Sequence, residues 1–218
     1  LFPMLIPTTD HLPPAWPLEK LVRHPSKRHA GLAWVAAERL SARMMYDREI
    51  NAQRAALGLD PVRANAMVGG LSPALVLLLW SSLWSPTASD WPDHYSATGF
   101  TIWPGPSGQS PSPELSAYLD AGPPLVLVTL GSSAASNAAA LFDNIAEVLD
   151  RRGRRAVFLV GGQNNVTERL AARDDVGDFA PLPQVLPRCS AIVHAGGHGT
   201  TDAALTAGVP SVVVPMVF

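Results

Sequence analysis

Between His194 and Asp202 the chain gathers groups suited to holding an anion: His194, Gly196, Gly197, Gly199, Thr200 and Asp202 fall within the single stretch HAGGHGTTD. An imidazole can donate a hydrogen bond to an oxyanion. Glycines let the backbone turn tightly and allow its amides to approach a ligand that a side chain would hold away. A helix opening at the threonines adds free N–H groups and a partial positive charge, which suit a phosphate. Each residue also has an ordinary use. His194 could be a structural strand-end residue, the glycines mere turn residues, Thr200 a helix N-cap, and Asp202 a charge favourable to the first helical turn. His198 reads as a solvent-facing turn residue. Two familiar phosphate motifs are excluded, because Gly197-His198-Gly199 meets Asp202 where a dinucleotide fingerprint needs its third glycine, and no P-loop lysine precedes the threonines. The chain also contains no Asp-x-Asp pair. Neither a metal nor an organic cofactor is expected.

The elements that must position these groups are legible on either side. Ala191 to Ala195, AIVHA, is a short apolar strand ending at the histidine; TTDAALTAG is a helix, and SVVVP is the next strand. Upstream, Pro123 to Gly162 reads as a βαβ unit: a buried strand, a turn at Gly131-Ser132-Ser133, a helix with Leu141, Ile145, Val148 and Leu149 on one face, and a second strand. Ser132 and Ser133 either touch the anion or cap the helix that follows. In the first half, GLAWVAAERLSARMMYDREINAQRAALGL is a long helical region, preceded by PTTDHLPPAWP, which is too rich in proline to be regular. Arg39, Arg43, Arg48 and Arg54 form a solvated face of that region, whereas Trp34, Leu40, Met44, Met45 and Tyr46 either line a cleft or pack as core. ALVLLLW, Ala74 to Trp80, reads as a buried parallel strand and falls far short of the roughly 20 residues of a membrane-spanning helix.

Taken in order, the histidine, the paired glycines, the threonine and the later AGVPSVVVP resemble the donor-binding signature of glycosyltransferases that use uridine- or thymidine-diphosphate sugars. The likeness is to the bacterial branch that glycosylates macrolides, glycopeptides, sterols and similar lipophilic acceptors. In that family the Gly-Ser turn after the first strand lies near the diphosphate. DFAPLPQVLPRCSAIVHAGG resembles the approach to the histidine whose backbone holds the base, although Leu182 stands where related sequences often carry histidine. DWPDHYSATGFTIW, Asp90 to Trp103, resembles the crossover that leaves the first domain. The resemblance implies an α/β architecture of GT-B type, two Rossmann-like domains with the first incomplete. Residues 1–103 would belong to the acceptor-binding domain, 104–113 to a Pro/Gly/Ser linker, and 114–218 to the nucleotide-sugar domain. It further implies inverting transfer of a hexose from a UDP- or TDP-sugar to a hydroxyl of a small lipophilic acceptor, with a general base taking the hydroxyl proton. His194, Gly196, Gly197, Gly199, Thr200, Ser132 and Ser133 would bind the donor, with Asp202 in the place of an acidic ribose ligand of plant relatives. The family's catalytic base would precede Leu1 and its sugar-binding Asp-Gln pair would follow Phe218, so the chain is expected to be a fragment, inactive alone. Two rival readings are a non-catalytic nucleotide-sugar-binding accessory protein and a UDP-sugar 2-epimerase, the latter needing clustered carboxylates and histidines that the sequence does not show.

Composition narrows the partners. A formal net charge of −2 without a basic run argues against nucleic acid. The single cysteine, Cys189, excludes an internal disulfide, and with no signal peptide visible a cytoplasmic location is expected. PGPSGQSPSP, from Pro104 to Pro113, lacks the amide donors and helix propensity of a regular element, which places the hinge between domains there.

Overall fold

The computed structural model describes residues 6–10, 26–44, 47–61, 71–101, 110–130, 138–161 and 166–215, the side chains of 38–44 and 47 excepted. The chain divides into two units, Leu1–Thr101 and Ile102–Phe218. Most of the stretch 104–113 lies outside the described residues.

The second unit is built on a sheet whose strands are all parallel. Its elements, in chain order, are α3 (Pro113–Asp120), β3 (Leu125–Thr129), α4 (Ala139–Arg151), β4 (Ala156–Leu159), α5 (Glu168–Ala171), β5 (Val176–Gly177), α6 (Leu182–Val185) with a following 3₁₀ turn (Leu186–Arg188), β6 (Cys189–His194), α7 (His198–Ala207) and β7 (Ser211–Val213). The strands lie in the order β5-β4-β3-β6-β7. Renumbered from β3, this is the 3-2-1-4-5 order of a doubly wound nucleotide-binding sheet. Strand alternation sends Leu125, Leu127, Val157, Leu159 and Ile192 to one face, under Leu119, Val185 and Ala204 from the helices. Val128, Ala156 and Phe158 go to the other, under Phe142 and Ala146 of α4 and Leu170 of α5. Burial on both faces is why these strands read as unbroken apolar runs.

Local chemistry sets the element ends. The Ser112 hydroxyl accepts the Leu115 N–H at 3.1 Å, with Pro113 in the first turn, where its missing N–H costs nothing. Thr167 caps α5 in the same way at 3.2 Å and donates to Asp143 at 2.9 Å. Arg155, at the start of β4, donates to the carbonyls of Pro123 and Tyr118 and lies over the Tyr118 ring, which ties the approach to β3 against β4.

In the first unit, the long helical region is two helices, α1 (Lys27–Met44) and α2 (Asp47–Ala56), with residues 45 and 46 outside the described set. Trp34 is buried, while Leu40, Met44, Met45, Tyr46, Arg39 and Arg43 have no described side chains. Arg48 is exposed, and Arg54 donates to the Asp60 carbonyl at 2.6 Å, closing the end of α2. β1 (Val76–Leu78) pairs in parallel with β2 (Tyr95–Ala97). ALVLLLW is therefore a parallel strand, but it is buried on one face only. Val76, Leu78 and Trp80 are core beside Ile6, whereas Leu75, Leu77 and Leu79 are exposed. The irregular PTTD segment is pinned to the second strand's approach: Thr8 Oγ1 and the Thr9 amide donate to Asp90 at 2.6 and 2.7 Å, and the Ser89 amide donates to Asp10 at 3.0 Å. Burial works against ionisation of Asp90, but the donors from Thr8 and Thr9 hold its carboxyl below the ordinary value. Among the described residues, no helix is long and apolar enough to cross a membrane.

Candidate anion-binding site

β3 and β6 are neighbours, and the chain leaves them in opposite directions, β3 towards β4 and β6 towards β7. A crevice opens outside the carboxyl ends of two such strands, where open α/β sheets bind their ligands. The last paired residues there are Thr129 and His194, directly in register. Ser132 and Ser133 lie outside the described residues. The strands that lead to the two segments singled out in the sequence thus end side by side.

The three glycines of the turn differ physically. Gly196 has φ 83°, and a Cβ there would sit 2.9 Å from Cγ1 of Val213, so both the turn and the approach of β7 require its missing side chain. Gly197, at φ −58° and ψ 142°, is the N-cap of α7. Among the described residues, a Cβ on Gly197 or on Gly199 would meet nothing within 4 Å. Packing among the described residues does not require these two glycines.

α7 starts two residues earlier than TTDAALTAG implies. Its first backbone hydrogen bond runs from the Thr201 amide to the Gly197 carbonyl at 3.0 Å, which leaves the amides of His198, Gly199 and Thr200 without intrahelical acceptors. Thr200 is consequently not the N-cap but the third helical residue. Thr201 turns its hydroxyl back to the Gly197 carbonyl at 3.0 Å. Asp202 falls beyond the first turn, so it does not serve as a first-turn charge. It is 5% exposed and accepts a long hydrogen bond, 3.4 Å from the Thr206 hydroxyl. Burial raises its carboxyl above the ordinary value, against the opposing pull of Thr206 and His198.

His194 is 1% exposed. The Gly196 amide donates to its Nδ1 at 3.1 Å, so Nδ1 is the acceptor and the proton resides on Nε2. That Nε2 is buried without a hydrogen-bond partner among the described residues. Burial pushes the imidazole below its ordinary value of 6.5 and keeps it neutral at pH 7. The result is a fixed, uncharged donor. Leaving it unmatched costs about 1–3 kcal/mol, which an anionic oxygen bonded to it would offset. Leu182 packs partly buried against the core, so its side chain is engaged there. Among the described residues no three His, Cys, Asp or Glu side chains cluster as metal ligands.

Residue types pointed to His194, Gly197 and Gly199. They did not reveal which glycine the fold needs, nor that Thr129 faces the histidine, because both depend on strand register and on the position of β7.

Comparison with known proteins agrees with this architecture. Residues 156–218 match the C-terminal domain of erythromycin biosynthesis protein CIII-like proteins. An O-mycaminosyltylonolide 6-deoxyallosyltransferase from Streptomyces fradiae is 37% identical over 169 residues, 77% of this chain and 39% of that protein. A vancomycin aglycone glucosyltransferase from Amycolatopsis orientalis is 31% identical over 180 residues, 80% of this chain and 41% of that one. The chain thus spans about two fifths of the length of these relatives. Of the solved structures, the glycotransferase of kitacinnamycin superposes with a TM-score of 0.55 at 22% identity, covering 80% of this chain and 44% of the other, a likeness of fold. Residues 156–218 thus match the erythromycin biosynthesis protein CIII-like C-terminal domain, the chain is similar in sequence to glycosyltransferases, and its fold is that of a part of a GT-B glycosyltransferase.

Proposed function

We propose that the protein to which this chain belongs transfers a hexose, with inversion, from a UDP- or TDP-sugar to a hydroxyl of a small lipophilic acceptor. The observation that carries this reading is the buried Nε2–H of His194, unmatched among the described residues, at the switch point of the sheet and three residues before Gly197. A departing nucleoside diphosphate gathers negative charge on its phosphate oxygens. Preorganised donors directed at developing charge lower the barrier without reorganising. The His194 Nε2–H and the first-turn amides of α7 form such a set, with no cation required. The same tautomer rules out one role for His194. With Nδ1 accepting from Gly196 and Nε2 protonated, it has no free lone pair with which to act as general base. The acceptor class follows the named relatives, which include enzymes acting on a tylonolide, on a vancomycin aglycone and on sterols.

Calorimetric titration with UDP, TDP and NAD tests the site. UDP or TDP should bind equally well with and without EDTA. His194→Ala should weaken that binding by about 1.5–3 kcal/mol, the range for a hydrogen bond to a charged group, which is roughly 10- to 150-fold. Tight NAD binding, or nucleotide affinity indifferent to His194→Ala, would overturn the reading.

A further inference from the structure

The first helix carries a charge balance unlike that of the chain as a whole. α1 contains Lys27, Arg28, Arg39 and Arg43 against the single carboxylate of Glu38, in a chain whose formal net charge is −2. Helical position sorts these residues. Ala30, Ala33 and Trp34 are buried, which fixes the inward face. At 3.6 residues per turn, positions 28, 32, 35, 39 and 43 fall within about 80° of one another on the opposite face, and position 38 falls outside that arc. The five positions hold Arg28, Leu32, Val35, Arg39 and Arg43. Arg28 is exposed, and so are the two apolar residues, Leu32 at 63% and Val35 at 45%. The outer face is thus a strip about 20 Å long, with arginine positions towards both ends and an apolar step between them.

A single exposed leucine needs no explanation. A leucine and a valine one turn apart, bracketed by arginines and sharing their face with no carboxylate, form a different pattern. It suits an anionic lipid surface, where apolar side chains enter the acyl boundary and guanidinium groups on long apolar stems reach the headgroup phosphates.

We propose that the outer face of α1 docks the protein on anionic lipid bilayers, with the helix lying in the plane of the membrane surface. Charge complementarity selects this occupant. A second copy of the chain, related by a twofold axis, would set one arginine strip against another. Nucleic acid would match the arginines but leave Leu32 and Val35 against a polar backbone. The helix does not cross the membrane, because its charges recur along its whole length. Docking at the interface suits the lipophilic acceptors proposed above, which concentrate in the bilayer. It does not depend on the nucleotide site.

The test is sedimentation of the full-length protein with vesicles of phosphatidylcholine alone and with about 30% phosphatidylglycerol, at low and at high salt. The natural protein should pellet with the anionic vesicles, stay in solution with the neutral ones, and be released by high salt. Arg28→Gln combined with Arg39→Gln should weaken binding about 25-fold, since each basic residue near such a surface is worth about fivefold. Leu32→Ser combined with Val35→Ser, which keeps every charge, should weaken it about tenfold. Melting temperatures check that both variants fold, as expected for positions opposite the buried face. No preference for anionic over neutral vesicles, or binding undiminished in either variant, overturns the proposal. So does a dimer that the serine variant dissociates, or retention on duplex DNA that only the glutamine variant loses, which would assign the face to a second copy or to nucleic acid. Calorimetric titration with UDP and TDP reads the nucleotide site separately, so failure of one reading leaves the other standing.

Discussion

Replacing Gly196 by alanine should destabilise the second unit by about 1–2 kcal/mol, because an L-residue is strained at φ 83° and its Cβ would lie 2.9 Å from Val213. Gly199→Ala should do the reverse. It lies inside α7 with open space around it, so alanine should raise stability by about 0.5–1 kcal/mol. The same methyl group would occupy the space above the helix mouth and weaken UDP or TDP binding. Thermal melting and titration of this one variant separate fold from function, and a stabilised protein with undiminished affinity would show that no ligand approaches there. Asp202→Asn makes a similar separation. The folded carboxyl is raised by burial, so at pH 7 it opposes folding; its penalty grows as pH rises from the ordinary value of 3.8 through the folded one. The amide should therefore melt higher at pH 7, with the advantage vanishing in acid. For His194 the sign is opposite. Its folded value is lowered from 6.5, so the unfolded chain binds the extra proton and stability is lost as pH falls below 6.5. His194→Gln should flatten that part of the stability profile.

Among the elements, the corner between α4 and β5 depends on one cation. Arg173 donates to Asp150 at 2.7 Å and to Asp175 at 2.8 Å, and its guanidinium lies 5.5 Å from the centre of the Phe158 ring. The Asp175 side chain is only 9% exposed. Arg173→Met should therefore cost about 1–3 kcal/mol at pH 7, because it leaves a largely buried carboxylate without its donors. Hydrogen bonds from Arg173 depress the Asp150 carboxyl, so that group's contribution is present above the ordinary value of 3.8 and lost as pH falls through the folded one. Melting curves of the natural protein and the variant should converge in acid. α4 also shows how far periodicity reaches. Leu141, Ile145 and Leu149 pack against the core as their spacing implies, but Val148 is exposed. At 3.6 residues per turn Val148 lies about 120° round the helix from Phe142. Phe142, large and fully buried against Phe158, takes the centre of the stripe and rotates Val148 outward.

At the scale of the molecule, the centre of the parallel sheet should be its slowest part to open. Amides of Leu127, Phe158 and Ile192, on strands buried from both sides, should be the last to exchange with deuterium, while Leu77 of β1, with one face exposed, should exchange orders of magnitude sooner. Equal protection would mean that the first unit holds its strands as firmly as the second. What the amino-acid sequence determined by itself was local. The apolar run after Pro123 and the one at 191–195 read as strands, the glycine turn must break the second of them, and the types His194, Gly197, Gly199 and Thr200 are suited to an anion, because each property resides in the residue or its immediate neighbours. The tertiary structure decided everything that depends on two distant segments meeting. Pairing of β3 with β6 set Thr129 opposite His194 and made their carboxyl ends the switch point. The approach of β7 made Gly196 indispensable to the fold and left Gly197 and Gly199 without that duty. The burial of Ala204 with the sheet carried Asp202 inward on the same helix. Burial and the turn also fixed the tautomer of His194, since the Gly196 amide that occupies Nδ1 reaches it only through the geometry of the turn.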